Sequence, residues 1–129
     1  PFGDNFVKTI LNLSKSNKKI SVINDQWGKP TFGLDLAEAI LKLIDYSESF
    51  DNKIYHYSNK GATTWYDFAK EILELKKSNN SLKPIKSIDY SSKVIRPKSV
   101  ALNTNLIETN LNLKIPHWKD SLKKCLKMI

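Results

Sequence analysis

Residues 19–44 read KISVI (19–23), NDQWGKPT (24–31) and FGLDLAEAILKLI (32–44). The β-branched, apolar first run predicts a strand. In the third, Leu36, Ile40, Leu43 and Ile44 recur at helical spacing, and Asp35 and Glu38 lie toward the N-terminal half, where the helix dipole favours negative charge. Between them, Gly28 and Pro30 are expected to shape a turn and Thr31 to cap the helix that follows. The segment therefore predicts strand, turn and helix, and it is the clearest signature in the chain.

The same grammar continues on both sides. Asp4 or Asn5 can cap a helix through FVKTILNLSK (6–15), in which Phe6, Ile10 and Leu13 share a face. NKIYHYSN (52–59) reads as a second strand because its aromatics alternate. Gly61 then opens a helix in KGATTWYDFAKEILELKK (60–77). Thr64 is its cap, Asp67 sits where a capping-box acid belongs, and Trp65, Phe68, Ile72 and Leu75 form the apolar stripe. From 78 to 97 the pattern loosens into loop, with a short strand near LKPIKSI (82–88). SVALN (99–103) predicts another short strand, Thr104 caps a brief helix, and Pro116 serves as first residue of a last helix, HWKDSLKKCLK (117–127). Strands alternating with helices place the chain in the mixed α/β or α+β class, with about four helices and three to four short strands.

A chain of 129 residues, 40% hydrophobic and 26% charged, is large enough for one domain with its own core, and is expected to form a single unit over 1–129. It begins at Pro1, and PFGDNF has neither a basic nor an apolar leader, so a start within a longer protein or after processing is expected. No apolar run nears the roughly 20 residues of a membrane helix. A lone cysteine, Cys125, excludes an internal disulfide and points to a reducing compartment, the cytoplasm.

The net charge of +8 and pI near 9.5 invite a nucleic-acid reading. The lysines, however, are scattered over exposed helix faces, and Arg96 is the sole arginine. A solvated lysine coat is the better account, with no nucleic acid as partner. The four glycines are dispersed, so no glycine-rich nucleotide cradle is present. His56 and His117 lack further ligands at metal spacing, so no metal site is expected. Tyr66 and Lys70, at i and i+4, imitate a short-chain dehydrogenase catalytic pair, but any helix carrying both residues presents that spacing.

NFVKTIL, SVINDQWGKPT, DLAEAILKLI, IYHYSNKGATTWYDFAKEI, RPKSVALNT and IPHWKDSLKKCL, in that order, resemble the C-terminal portion of the dTDP-4-dehydrorhamnose reductase family, extended short-chain dehydrogenases. The resemblance spans essentially the whole chain. It implies a substrate-binding portion whose NAD(P)-binding Rossmann domain, glycine-rich loop and catalytic Tyr-x-x-x-Lys lie upstream of Pro1, which demotes Tyr66 and Lys70. It implies NADPH or NADH as cofactor of the full-length enzyme, with none bound by this fragment, and a dTDP-sugar as ligand. On that reading the helix start at Asn5 suits the diphosphate, Val22, Ile23 and Gln26 lie near the base, Trp27 faces the nucleotide, and Arg96 of the RP motif contacts the diphosphate through its planar, bidentate head.

Each assignment has a structural rival: Asn5 as helix cap, Val22 and Ile23 as strand core, Trp27 as cover for the turn, Trp65 as packing. The chain departs from the family in Ser91–Val94 before the RP motif, in Trp27 where phenylalanine is common, and in Leu34 where some members place a metal-binding acid. Metal-bridged dimerisation is therefore not expected. The apolar residues of 34–44 exceed a narrow stripe, so part of that surface is expected to pack on the Rossmann domain in the parent, and to be exposed or covered by self-association in this chain. A non-catalytic, reductase-like binding subunit, as in the methionine adenosyltransferase regulatory subunit, is the alternative from another class. The upstream sequence discriminates the two.

Overall fold

The structure, a computed structural model, describes residues 3–16, 19–46, 54–90, 94 and 96–129. Its described residues carry five α-helices and five short strands in small sheets, a mixed α/β arrangement. They gather into two compact units, one from residues 1–28, 63–100 and 128–129, the other from 29–62 and 101–127.

In the first unit, helix α1 (Phe6–Ser16) leads to strand β1 (Lys19–Ile23). β1 pairs in parallel with β4 (Ser81–Ile85), Val22 opposite Pro84. Parallel strands need a crossover, and the intervening chain contains helix α3 (Trp65–Leu75), which packs on α1, β1 and β4. Val7, Ile10, Ile20, Val22, Phe68, Ala69, Ile72 and Leu73 are buried here. Each large one contributes about 1.5–3 kcal/mol by leaving water. The predicted Thr64 cap forms, and Asp67 is tied to it through the hydroxyl rather than the Thr64 N–H: Thr64 Oγ1 accepts from the Asp67 N–H at 3.0 Å and donates to Asp67 Oδ2 at 2.6 Å.

The NDQWGKPT segment differs from expectation. Trp27–Gly28 is strand β2, central in a three-stranded sheet, antiparallel to β3 (Thr63–Thr64) and parallel to β5 (Ser99–Val100). Gly28 thus lies in extended chain, and a Cβ there would meet only Val100 Cγ2 at an ordinary 3.6 Å. The turn assigned to it is absent because two partners distant in sequence hold the backbone straight.

The second unit contains α2 (Gly33–Asp45), α4 (Asn105–Asn110) and α5 (Trp118–Lys127). Ala39, Ile107 and Ile115 form its core cluster, with Tyr55, Tyr57, Leu111 and Leu113 packed against it. Thr31 does not cap α2. Its hydroxyl donates to the Lys29 carbonyl at 3.3 Å, Phe32 takes the cap position, and the Phe32 N–H goes to Asn59 Oδ1 at 2.8 Å. Residues 54–59 form no strand; 52 and 53 lie outside the described residues. Tyr55 and Tyr57 are half-buried while Ile54 and His56 are exposed, so the aromatics share a side although the strand expected from their alternation is absent from the described residues. Only Lys60 bridges, to His117.

Two other helix starts also differ. Pro116 stands outside α5: its carbonyl accepts from the Lys60 N–H at 2.9 Å, and the His117 carbonyl takes the first helical N–H groups, those of Asp120 and Ser121. Thr104 occupies the cap position of α4, but its hydroxyl donates to Glu108 Oε2 at 2.7 Å, and Asn103 Oδ1 receives the Asn105 N–H at 2.9 Å.

Candidate functional site

All the residues that the resemblance nominates fall in the first unit: Asn5 ahead of α1, and the others at the end of β1 and in the chain that follows it. Val22 is 6% exposed and belongs to the core, and Ile23 is half-buried. Beyond them the Asn24 N–H donates to the Ile85 carbonyl at 3.0 Å, prolonging the β1–β4 pairing. Asn24 Oδ1 is buried without a hydrogen-bond partner. Asp25 turns away from any ligand role: its carboxylate accepts from the Ser87 N–H at 2.9 Å and from the Ser87 hydroxyl at 3.0 Å. Burial works to raise its pKa, but the Ser87 hydrogen bonds and the Lys86 charge outweigh that and hold the carboxyl below its ordinary value. Gln26 is buried, whereas Trp27 is 48% exposed.

Backbone pairing then draws in the remaining candidates. The Trp27 N–H donates to the Lys98 carbonyl at 2.8 Å, which fixes the chain two residues past Arg96. Arg96 itself is exposed, with no ion pair among the described residues; the loop residues 91–93 that precede it lie outside them. On the other side Trp27 stands opposite Thr64, the residue before Trp65. The Trp65 ring lies 4.7 Å from that of Phe6, and Phe6 stacks on Phe68 at 5.7 Å. Asn5, exposed beside Phe6, does cap α1: its Oδ1 accepts from the Lys8 N–H at 3.0 Å, leaving the amide NH₂ as the part of its side chain open to a ligand. The first unit thus carries, on segments that these pairings link, a planar cation, an exposed amide, two half-exposed indoles and a helix start. That set can hold a phosphate group and a flat ring, and it contains no obvious proton-transfer pair.

Tyr66 and Lys70 do not alter that picture. Lys70 Nζ lies 3.8 Å from Glu74 Oε1 in an exposed i,i+4 pair, and Tyr66 is half-buried. Cys125 is half-buried. No group of three or more metal-binding side chains occurs among the described residues, and no described helix is long and apolar enough to cross a membrane.

The polar features that sequence reading missed lie in the second unit. Asp35 Oδ2 accepts from Asn59 Nδ2 at 2.7 Å and from the Ser121 hydroxyl; Asn59 also donates to Ser121 Oγ at 2.9 Å and the Pro116 carbonyl at 3.3 Å. Lys124 Nζ stands 3.9 Å from Asp35 Oδ1. Nearby in sequence, Lys60 Nζ reaches Glu108 Oε2 at 2.5 Å. Burial tends to raise the Glu108 pKa, but hydrogen bonds from Lys60 and Thr104 and the Lys60 and Lys29 charges leave it lowered. These contacts tie α2, α4, α5 and residues 59–60 of this unit to one another. Their members are up to 86 residues apart, so no local pattern announces them.

Residues 2–129 match the family model described as the RmlD substrate binding domain. A chain matched over nearly all its length belongs to that family. Among its relatives, the dTDP-4-dehydrorhamnose reductase of Escherichia coli is 34% identical over 135 residues, covering 96% of this chain and 44% of that protein. The Bacillus subtilis (strain 168) spore coat polysaccharide biosynthesis protein SpsK is 34% identical over 125 residues, covering 97% of this chain and 42% of its own. The crystal structure of dTDP-4-dehydrorhamnose reductase from Bacillus anthracis str. Ames, in complex with NADP, superposes with a TM-score of 0.93 at 33% identity, covering all of this chain and 45% of the other. The chain therefore spans less than half the length of the relatives it matches.

Proposed function

We propose that residues 1–129 act as the nucleotide-sugar-binding domain of a cytoplasmic dTDP-4-dehydrorhamnose reductase, which reduces the 4-keto group of dTDP-4-dehydro-L-rhamnose with NADPH or NADH to give dTDP-L-rhamnose. The family match over residues 2–129 carries this reading. No glycine-rich cradle for a dinucleotide is found in the chain, whose glycines stand at 3, 28, 33 and 61. Hydride transfer and the catalytic tyrosine therefore belong to the upstream domain, and this chain alone is inactive. Its own part is to hold the substrate.

In this reading Arg96 pairs with the diphosphate, the α1 start at Asn5 adds backbone donors, and Gln26 and Trp27 meet the thymidine side. The upstream domain covers the exposed apolar residues of α2, Leu34, Ile40, Leu41 and Ile44, which are 47–62% exposed. Titration of dTDP or dTDP-rhamnose into the full-length protein tests the assignment. Replacing a charge-assisted contact by Arg96→Ala is expected to weaken binding roughly 10- to 100-fold. Unchanged affinity would remove Arg96 from the site.

A further inference from the structure

We infer that Trp65 is the platform on which the nucleobase of the substrate lies. The inference rests on the nucleotide-sugar reading and adds a residue to it. In the apolar stripe of α3, Phe68 and Ile72 are 7% and 0% exposed, whereas Trp65 at the head of the same stripe is 41% exposed. The ring is not simply loose surface. Phe6 lies against it at 4.7 Å with the planes tilted by 50°, and Phe6 is backed in turn by Phe68. The backbone is fixed just before the indole by the pairing of Thr64 with Trp27 and just after it by the cap that Thr64 makes with Asp67.

The position matters as much as the rigidity. Phe6 follows Asn5 in the chain, Thr64 pairs with Trp27, and the Trp27 N–H holds the segment just past Arg96. Trp65 therefore stands among the three segments that carry the proposed phosphate and base contacts. An aromatic ring already braced on one side and open on another suits a flat heterocycle. A base stacks on such a surface through its π-face whatever its edge groups. Trp65 would thus supply affinity for the ring itself, and the choice among bases would fall to amides such as Gln26.

Binding to the full-length protein tests this, with thymidine diphosphate and inorganic pyrophosphate as probes. The Trp65→Leu variant is expected to lose roughly 5- to 150-fold in affinity for thymidine diphosphate, to keep that for pyrophosphate, and to recover most of the loss as Trp65→Phe. In NMR spectra the thymine methyl and H6 signals should shift upfield on binding to the wild type, through the indole ring current, and lose that shift in Trp65→Leu. A Trp65→Leu protein that binds thymidine diphosphate as tightly as the wild type, or that loses pyrophosphate equally, would overturn the inference while leaving the nucleotide-sugar reading in place. A wild type that binds pyrophosphate but not thymidine diphosphate would overturn both.

Discussion

The Asn59 side chain ties three segments of the second unit, and its removal should be among the most costly single changes in that unit. Asn59 is 0% exposed. Its Oδ1 receives the Phe32 N–H, and its Nδ2 serves Asp35, Ser121 and Pro116. In Asn59→Ala the bond to the Asp35 carboxylate, about 1.5–3 kcal/mol, is lost together with neutral bonds of about 1 kcal/mol each, and the Phe32 N–H is left without its partner. Since such terms do not add and the surroundings relax, a net loss of about 3–5 kcal/mol is expected. Against a typical total of about 5–15 kcal/mol this is severe. Urea unfolding followed by Trp118 fluorescence, in a Trp27→Phe and Trp65→Phe background, reads this unit alone, because Trp118 is its one tryptophan and is buried. A loss below about 1 kcal/mol would refute the reasoning. Asn59→Asp separates charge from cavity: it sets two carboxylates together, so one must hold a proton and its folded pKa rises. The variant should be most stable at low pH and lose stability as pH rises toward neutrality.

Gly61→Ala should destabilise by about 2 kcal/mol or more, since φ is +86° and the new Cβ would fall 2.2 Å from His117 Nε2. Adding His117→Ala should return only the steric part, and full recovery in thermal unfolding would disprove the backbone contribution. Tyr57 has its pKa pushed up to about 12, by burial first and then by the Asp35 and Glu38 charges. The fold thus favours the neutral phenol, a contribution complete below the ordinary value of 10.0 and lost as pH rises from there toward 12. Ultraviolet titration should show a phenolate forming near 12 that is absent in Tyr57→Phe, and a Tyr57 that ionises at the ordinary value of 10.0 would sink the argument.

What could be read from the sequence was whatever depends on neighbours a few residues away. Helices α1, α2 and α3 follow from apolar spacing, and the Thr64–Asp67 cap from a three-residue interval. β1 and β4 were legible as strands, though nothing local says that they pair in parallel. The errors share one cause. Thr31 and Pro116 each occupy a position that local rules assign to a helix start, and a hydrogen bond elsewhere or the exact onset of the helix decided otherwise; Thr104 does stand at the cap of α4, but its hydroxyl is drawn to Glu108. The Asp35–Asn59–Ser121 cluster joins residues from three separated segments, beyond the reach of any periodicity. The candidate site residues could be nominated only through family resemblance, because an exposed arginine and a half-exposed tryptophan carry no pattern of their own.

The same contrast explains NDQWGKPT. Its polar and glycine residues suggested a turn, yet Trp27 and Gly28 form the centre of a sheet whose outer strands come from residues 63–64 and 99–100. The backbone and side chain of Trp27 consequently have separable roles. Its N–H and strand pairing fix where residues 64–65 and 96–98 stand, a role any non-proline residue could fill. Its exposed indole is left over from that work and is the part proposed to meet the nucleotide. The side chains proposed to meet the nucleotide are thus carried by a backbone scaffold that needs none of them, so the ligand-facing side chains can vary while the framework that places them stays fixed.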